Sequence, residues 1–299
     1  MSSEYTINAR TAVAAIAISS VSFRIYFQDT ENGIREGVYH DGKWTFSGKA
    51  LFHARRLSPL AAITWDEGSE SYIISLIDNR IKIRVYSVSE DGLLEEWCYG
   101  SVGKWVPGGL TKLKVQTAPD SSVAAVNWER TKIRVYCQES SNAIQEYCVG
   151  NTWTKGATLP VADVGSDLAA VAWTKDGKPH IRVYYQTADL SVHEHCCDDG
   201  WSKGDFYLGA VMKNTAIAAT GWYDSGEQLR VYSQDSHGLL KGYKWSGSWK
   251  GTYFSKKAPV GTHMAAVNWH NGTIVKVYYQ SEDGTIWEEN DDGTKKPVA

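Results

Sequence analysis

The sequence predicts an all-β fold, a six-bladed β-propeller of four-stranded antiparallel blades, and three repeated marks carry that prediction. A basic residue and the residue twelve positions later recur as Arg24/Glu36, Arg84/Glu96, Arg134/Glu146, Arg182/Glu194, Arg230/Gly242 and Lys276/Glu288, so the spacing persists where the chemistry changes. Ahead of each stands an alanine pair, Ala14-Ala15, Ala61-Ala62, Ala124-Ala125, Ala169-Ala170, Ala218-Ala219 and Ala265-Ala266, followed in all but the first by Trp65, Trp128, Trp173, Trp222 or Trp269. Downstream comes a Trp soon followed by Gly, at Trp44, Trp105, Trp153, Trp201 and Trp249, with none in the sixth repeat. The intervals between basic residues, 60, 50, 48, 48 and 46, are near those of four-stranded propeller blades. Six copies imply six blades, and a repeat running from residue 14 to residue 288 leaves one domain over residues 1–299.

Each repeat opens with a short AAVNW-like run, continues with an IRVYYQ-like run rich in β-branched and aromatic residues, and turns into a VHEHC-like run. Turn clusters such as Asp91-Gly92, Asp176-Gly177 and Asp283-Gly284 punctuate them, and a fourth strand is expected after the Trp-Gly mark. Helical periodicity with caps is absent, and a solenoid would want polar capping repeats that are not seen. In the hairpin Ile133 to Tyr147, pairing about Ser140 and Ser141 would set Arg134 directly opposite Glu146, with Cβ atoms ~4.5 to 5.5 Å apart. The last repeat ends eleven residues after Glu288 and reads one strand short, so Tyr5 to Arg10 is expected to close the ring by pairing with the last blade.

A formal net charge of -3 with no basic run argues against nucleic acid or membrane insertion. The run Ala12 to Ile18 is the first repeat's strand rather than a signal peptide, because Ala14 precedes Arg24 by the same ten residues that separate Ala124 from Arg134. The reading is a soluble protein, cytoplasmic or exported to the cell surface by a non-classical route, and compatible with a homodimer. Cys98, Cys148 and Cys196 share one repeat position, which suits small buried hydrophobes rather than a disulfide framework; Cys137 and Cys197 follow no rule, and Cys197 is a candidate exposed thiol. The 13 Trp and 17 Tyr against 6 Phe suit surfaces needing a flat apolar face with a polar edge.

The Ala-Ala-x-x-Trp mark reads as packing between blades. The Arg/Glu pair reads differently, since Gly242 and Lys276 imply that the hairpin does not need it. A forked donor beside an acceptor-only carboxylate matches adjacent sugar hydroxyls, and an indole can cover the apolar face of a pyranose. The pattern RVYxQ, IxE and GxW, with LSPLAAITW at Leu57 to Trp65, resembles the fucose-binding lectins of the Aleuria aurantia type, fungal six-bladed propellers, over essentially the whole chain.

The resemblance implies a metal-independent, cofactor-free, multivalent lectin for fucosylated glycans and glycoproteins. Its pockets would lie between neighbouring blades, with Arg and Glu from one blade, the Trp and an extra aromatic from the next, and hydrophobic side chains around the fucose C6 methyl. Carried over, pocket one is Arg24, Glu36, Tyr99 and Trp105, and pocket four is Arg182, Glu194, Trp245 and Trp249, both complete. Pocket two has Arg84, Glu96 and Trp153 with Val149 for the extra aromatic; pocket three has Arg134, Glu146 and Trp201 with Cys197 there. Pocket five keeps Arg230 but has Gly242 for the acid, Asp291 for the aromatic and no Trp, and is expected to be dead. Pocket six joins Lys276 and Glu288 to Tyr39 and Trp44, with a point charge in place of the planar fork.

A propeller glycosidase of sialidase type would show SxDxGxxW boxes; Ser89-Glu90-Asp91-Gly92 and Ser281-Glu282-Asp283-Gly284 come close, but Gly directly follows Asp. It would also need two carboxylates flanking one bond, whereas each repeat fixes one beside an Arg, and Glu95 and Glu289 alternate to the opposite sheet face. A protein-binding propeller is the other alternative. Asp198-Asp199 and Asp291-Asp292 read as solvated turns, and no His/Cys/Asp cluster repeats with metal-ligand spacing.

Overall fold

The computed structural model describes residues 5–66, 81–100, 103–209, 211–290 and 293–298. Among the described residues six antiparallel sheets follow one another along the chain, each pairing four successive strands in order, with the short strand Phe52–His53 added to the first sheet beside Gly33–His40. Blade one is Ala14–Ser19, Ser22–Gln28, Gly33–His40 and Lys43–Phe46; blade two is Ala61–Asp66, Ile81–Val88, Leu94–Tyr99 and Trp105–Pro107. Blade three is Val123–Trp128, Lys132–Gln138, Ala143–Val149 and Trp153–Val161; blade four is Leu168–Lys175, Lys178–Gln186, Val192–Cys197 and Trp201–Leu208. Blade five is Ile217–Tyr223, Glu227–Gln234, Leu239–Trp245 and Trp249–Lys257, and blade six is Met264–Trp269, Ile274–Gln280, Ile286–Asn290 and Lys295–Pro297.

The first strands contact one another in cyclic order, the first blade's strand meeting the sixth's, which makes the ring. Alternation along these strands sets their chemistry. The first alanine of each pair is buried within the blade, and the second faces the axis, where Ala62, Ala125, Ala170, Ala219 and Ala266 line an axial cavity of about 220 Å³. The second strands are covered on both faces: in Lys132–Gln138 the sets Ile133, Val135, Cys137 and Tyr136, Gln138 are all buried. Apolar clusters span the junctions, as where Trp65 of blade two packs with Ile133, Tyr147 and Trp153 of blade three.

The hairpin register differs from the symmetric expectation. Arg134 pairs with Cys148, and Glu146 lies opposite Tyr136; likewise Tyr26 faces Glu36, Tyr86 faces Glu96, Tyr184 faces Glu194 and Tyr278 faces Glu288. The reason is the turn. Asn142 N–H donates to the Glu139 carbonyl and Glu139 N–H to the Ala143 carbonyl, with Asn142 in the left-handed region at φ 61°, so the hairpin pivots on Ser141. The corresponding left-handed positions are Asn32, Gly92, Leu190, Gly238 and Gly284. Leu190, at φ 61°, is the costly choice, because a left-handed non-glycine residue loses ~1 to 2 kcal/mol. Leu190→Gly should therefore stabilise the protein by roughly 1 kcal/mol, visible as a higher urea midpoint at unchanged m.

The ring closes without the expected strand exchange. Lys295–Pro297 is blade six's own fourth strand, with Glu288 paired to Lys296 and Trp287 to Pro297. Asn290 N–H reaches the Thr294 carbonyl at 2.9 Å just ahead of this pairing. The N-terminal segment instead bridges back to blade one through Ile7 and Asp29. Closure uses a link found at other junctions, a buried Gln at the end of the second strand. Gln138 donates to the Asp163 carbonyl at 2.8 Å and Gln186 to the Met212 carbonyl at 2.7 Å. Gln280 likewise donates to the Asn8 carbonyl at 3.2 Å and accepts Arg10 N–H at 2.6 Å. Val13, Phe23 and Ile25 then pack with Val267, Ile286 and Val298 across the seam.

Candidate functional site

The side chains that repeat in sequence converge at the blade junctions. On each second strand the basic residue and the residue two further on share a face, and the second of these is Tyr26, Tyr86, Tyr136, Tyr184, Tyr232 or Tyr278, all fully buried. Five of these phenols reach the site carboxylates: Tyr26 to Glu36 at 2.9 Å, Tyr86 to Glu96 at 3.4 Å, Tyr136 to Glu146 at 2.9 Å, Tyr184 to Glu194 at 2.7 Å and Tyr278 to Glu288 at 3.0 Å. Burial first, and the carboxylate charge second, push these phenols well above their ordinary range, so they stay protonated and donate. The basic side chain lies diagonal to the acid rather than opposite it. Arg24 reaches Glu36 at 2.7 Å, Arg84 reaches Glu96 at 3.4 Å, Arg134 reaches Glu146 at 3.5 Å, and Lys276 bonds Glu288.

The Trp near the end of the first strand in blades two to five has a second task beyond blade packing. Its indole lies under the guanidinium two residues along the same face, Arg84 over Trp65 at 5.0 Å, Arg134 over Trp128 at 5.0 Å, Arg182 over Trp173 at 4.9 Å and Arg230 over Trp222 at 5.1 Å. Facing them is the next blade's Trp-Gly indole, set edge-on to the buried Tyr: Tyr26 with Trp105 at 5.9 Å, Tyr86 with Trp153 at 6.4 Å, Tyr136 with Trp201 at 6.2 Å, and Tyr278 with Trp44 at 6.1 Å.

Pocket one is brought together as the sequence indicates, Arg24 standing 5.8 Å from the Tyr99 ring and Tyr99 5.5 Å from Trp105. Pocket two is a cavity of about 480 Å³ lined by Arg84, Glu96, Val149 and Trp153. In pocket three Cys197 and Trp201 pack in one cluster with Trp128 and Tyr136, and Trp201 stacks on His195 at 5.6 Å. Pocket four, about 190 Å³, gathers Arg182, Glu194, Trp245 and Trp249. Its arginine departs from the paired arrangement, bonding Asp198 at 2.8 Å and Glu227 at 2.9 Å. Asp198, read as a turn residue, is thus part of the site. At pocket six the cavity, about 300 Å³, is lined by Phe23, Tyr39, Lys276 and Asn290. Asp291 and Asp292 lie outside the described residues.

The cysteines also belong to the site. Cys98, Cys148 and Cys196 sit directly across the ladder from Arg84, Arg134 and Arg182, and Cys148 donates to Glu146 at 3.2 Å. Burial and then the neighbouring carboxylate push the Cys98 and Cys148 thiols up to about 12 against the pull of their arginines, which leaves them unreactive at neutral pH. All five cysteines are free. Among the described residues no group of three His, Cys, Asp or Glu could hold a metal ion, and no helix is long and apolar enough to cross a membrane.

The chain is 34% identical over 120 residues to the fucose-specific lectin of Aleuria aurantia, 39% of this chain and 35% of that protein. It is 31% identical over 169 residues to the fucose-specific lectin of Aspergillus oryzae, 55% of this chain and 50% of that one. The matches thus span half or less of those relatives' own length. In three dimensions it resembles a solved Aleuria aurantia lectin variant in complex with α-methyl-L-fucoside, at TM-score 0.83 and 30% identity, covering 99% of this chain and 96% of that one. The profile described as fungal fucose-specific lectin matches residues 7–287, and the chain belongs to that family.

Proposed function

We propose that the chain binds fucosylated glycans, without a metal ion and without catalysing a reaction, in pockets between adjacent blades. One observation carries this reading: at junction after junction a guanidinium, a carboxylate fixed by a buried phenol, and an indole from the next blade meet around one cleft. Arg donors and Glu acceptors pair with neighbouring hydroxyls and the ring oxygen, and the Trp and its apolar neighbours receive the pyranose face and the C6 methyl. Pockets one to four carry the full polar pair, with pockets two and three lacking one aromatic. In pocket four the sugar competes with Asp198 and Glu227 for Arg182. Pocket five lacks the acid. The reading is four or five fucoses per chain in at least two affinity classes, each weak alone and strong on cells through avidity.

Calorimetry with methyl α-L-fucoside tests it. Binding should persist in EDTA and be poorly competed by D-galactose. Arg134→Ala should remove one site, with Tm shifted by no more than a few degrees, since a solvent-edged ion pair contributes only ~0 to 1 kcal/mol. Absence of fucoside binding to the wild-type protein would refute the reading.

A further inference from the structure

We propose that the residue which the fourth strand sets against the site carboxylate decides whether a pocket admits a sugar, and that Lys296 closes pocket six from within the chain. The inference rests on the fucose reading above. In blades two, three and four that residue is Gly108, which directly follows its strand, Gly156 and Gly204, and a Cβ at any of them would overlap the carboxylate of Glu96, Glu146 or Glu194. With no side chain in the way, the backbone comes close enough for the N–H groups of Leu110, Ala157 and Asp205 to donate to those carboxylates at 3.0, 3.2 and 3.2 Å. In blades three and four a break in the register opposite the acid makes the approach, between Gln145 and Tyr147 and between His193 and His195. Such bulges re-aim backbone next to functional sites. Each acid is then held by a phenol on one oxygen and an amide on the other, and Glu96 and Glu194 line their clefts. Blade one has Ser47 at this place, whose hydroxyl accepts the Glu36 N–H at 3.1 Å and leaves the carboxylate to Arg24 and Tyr26.

Blades five and six break the rule. Thr252 faces Gly242, its hydroxyl filling the space a Cβ there would need, so the volume has moved from the third strand to the fourth. In blade six the register runs on unbroken and sets Lys296 directly opposite Glu288. Its Nζ stands 3.6 Å from the carboxylate and 4.0 Å from the centre of the Tyr39 ring. Glu288 already bonds Lys276 and the Tyr278 phenol, so two ammonium groups and a phenol occupy the acceptor that a sugar hydroxyl would use. The cavity at this junction accordingly includes Lys276 and Tyr39 in its lining but not Glu288.

The test is the number of methyl α-L-fucoside sites per chain, by calorimetry, in the wild type, Lys296→Ser, Lys296→Arg and Gly204→Lys. Lys296→Ser gives blade six the small residue that blade one carries, and should add one site to a wild-type count of four. Lys296→Arg should keep the wild-type count, and Gly204→Lys should lose one site. Near-ultraviolet circular dichroism checks each fold; should Gly204→Lys not fold, the two Lys296 variants decide. A wild type that binds fucoside with the same count in Lys296→Ser overturns the inference and leaves the fucose reading standing. A wild type that binds none removes both.

Discussion

Trp173→Ala should lower stability by ~3 to 5 kcal/mol and abolish binding in pocket four. The indole is 7% exposed. It packs in one cluster with Leu229 and Val231 of the next blade, so truncation leaves a cavity at a junction rather than at a rim. It also stacks on the His180 ring at 5.7 Å and lies 4.9 Å under the Arg182 guanidinium. Loss of the indole therefore removes the surface under Arg182, leaving its guanidinium held only by Asp198 and Glu227 of the same cleft and no longer fixed for a sugar. Urea unfolding gives the first quantity and the count of fucoside sites the second. A stable variant that has lost only its site would make Trp173 a site residue without a packing role.

Asp167→Ala should cost about 3 kcal/mol, with no effect on the number of sugar sites, because it removes an acceptor shared by several blades. The carboxylate accepts the Ser122 hydroxyl of blade three at 2.6 Å, its own neighbour Leu168 N–H at 3.0 Å, and Ile217 N–H of blade five at 3.0 Å. It also faces His263, ahead of blade six, at 3.8 Å. Burial pushes the Asp167 carboxyl up, but His263, the Ser122 hydroxyl and the Ile217 amide outweigh it and hold the group below the ordinary aspartate range. Burial likewise pulls His263 down and the Asp167 charge carries it above its ordinary value. The signs follow from linkage. The Asp167 contribution is complete above ~3.9 and is lost as pH falls through its depressed value, whereas the His263 contribution is complete below ~6.5 and is lost as pH rises through its raised value. The gap between wild type and Asp167→Ala should thus be widest between those limits and narrow in acid. Urea midpoints from pH 3 to 9 measure it, and a gap independent of pH would show that Asp167 acts through shape alone.

The ring was legible, and the Arg, Glu and Trp that meet at the blade junctions could be grouped, because duplication copied three marks at fixed spacing, and spacing survives substitutions such as Gly242 and Lys276. Register was not legible to the residue. It depends on which turn position is left-handed, and that position holds Asn, Gly and Leu190 in different repeats. The anchoring Tyr was visible in RVYxQ, yet a buried aromatic in a strand reads as core until its hydroxyl is seen on Glu36 or Glu194. Period two along the strand would have placed it on the arginine's face. The fourth strand's mark was a Trp soon followed by Gly, but nothing in it assigned a role to Gly156 or Gly204, and Lys296 lies in the one repeat that lacks the mark. Their importance lies in how closely one backbone approaches a carboxylate, which spacing does not encode.

The seam between the first and last blades has a mechanical consequence. Every other joint in the ring is spanned by continuous chain as well as by side-chain contacts, but here non-covalent contacts hold the joint, among them Gln280 on the Asn8 and Arg10 backbone, the cluster of Val13, Phe23 and Val298, and Trp44 against Tyr278. Tension applied at either end of the chain loads this clasp first, and its release would turn a closed hoop into an open arc while each blade's own ladder stays intact.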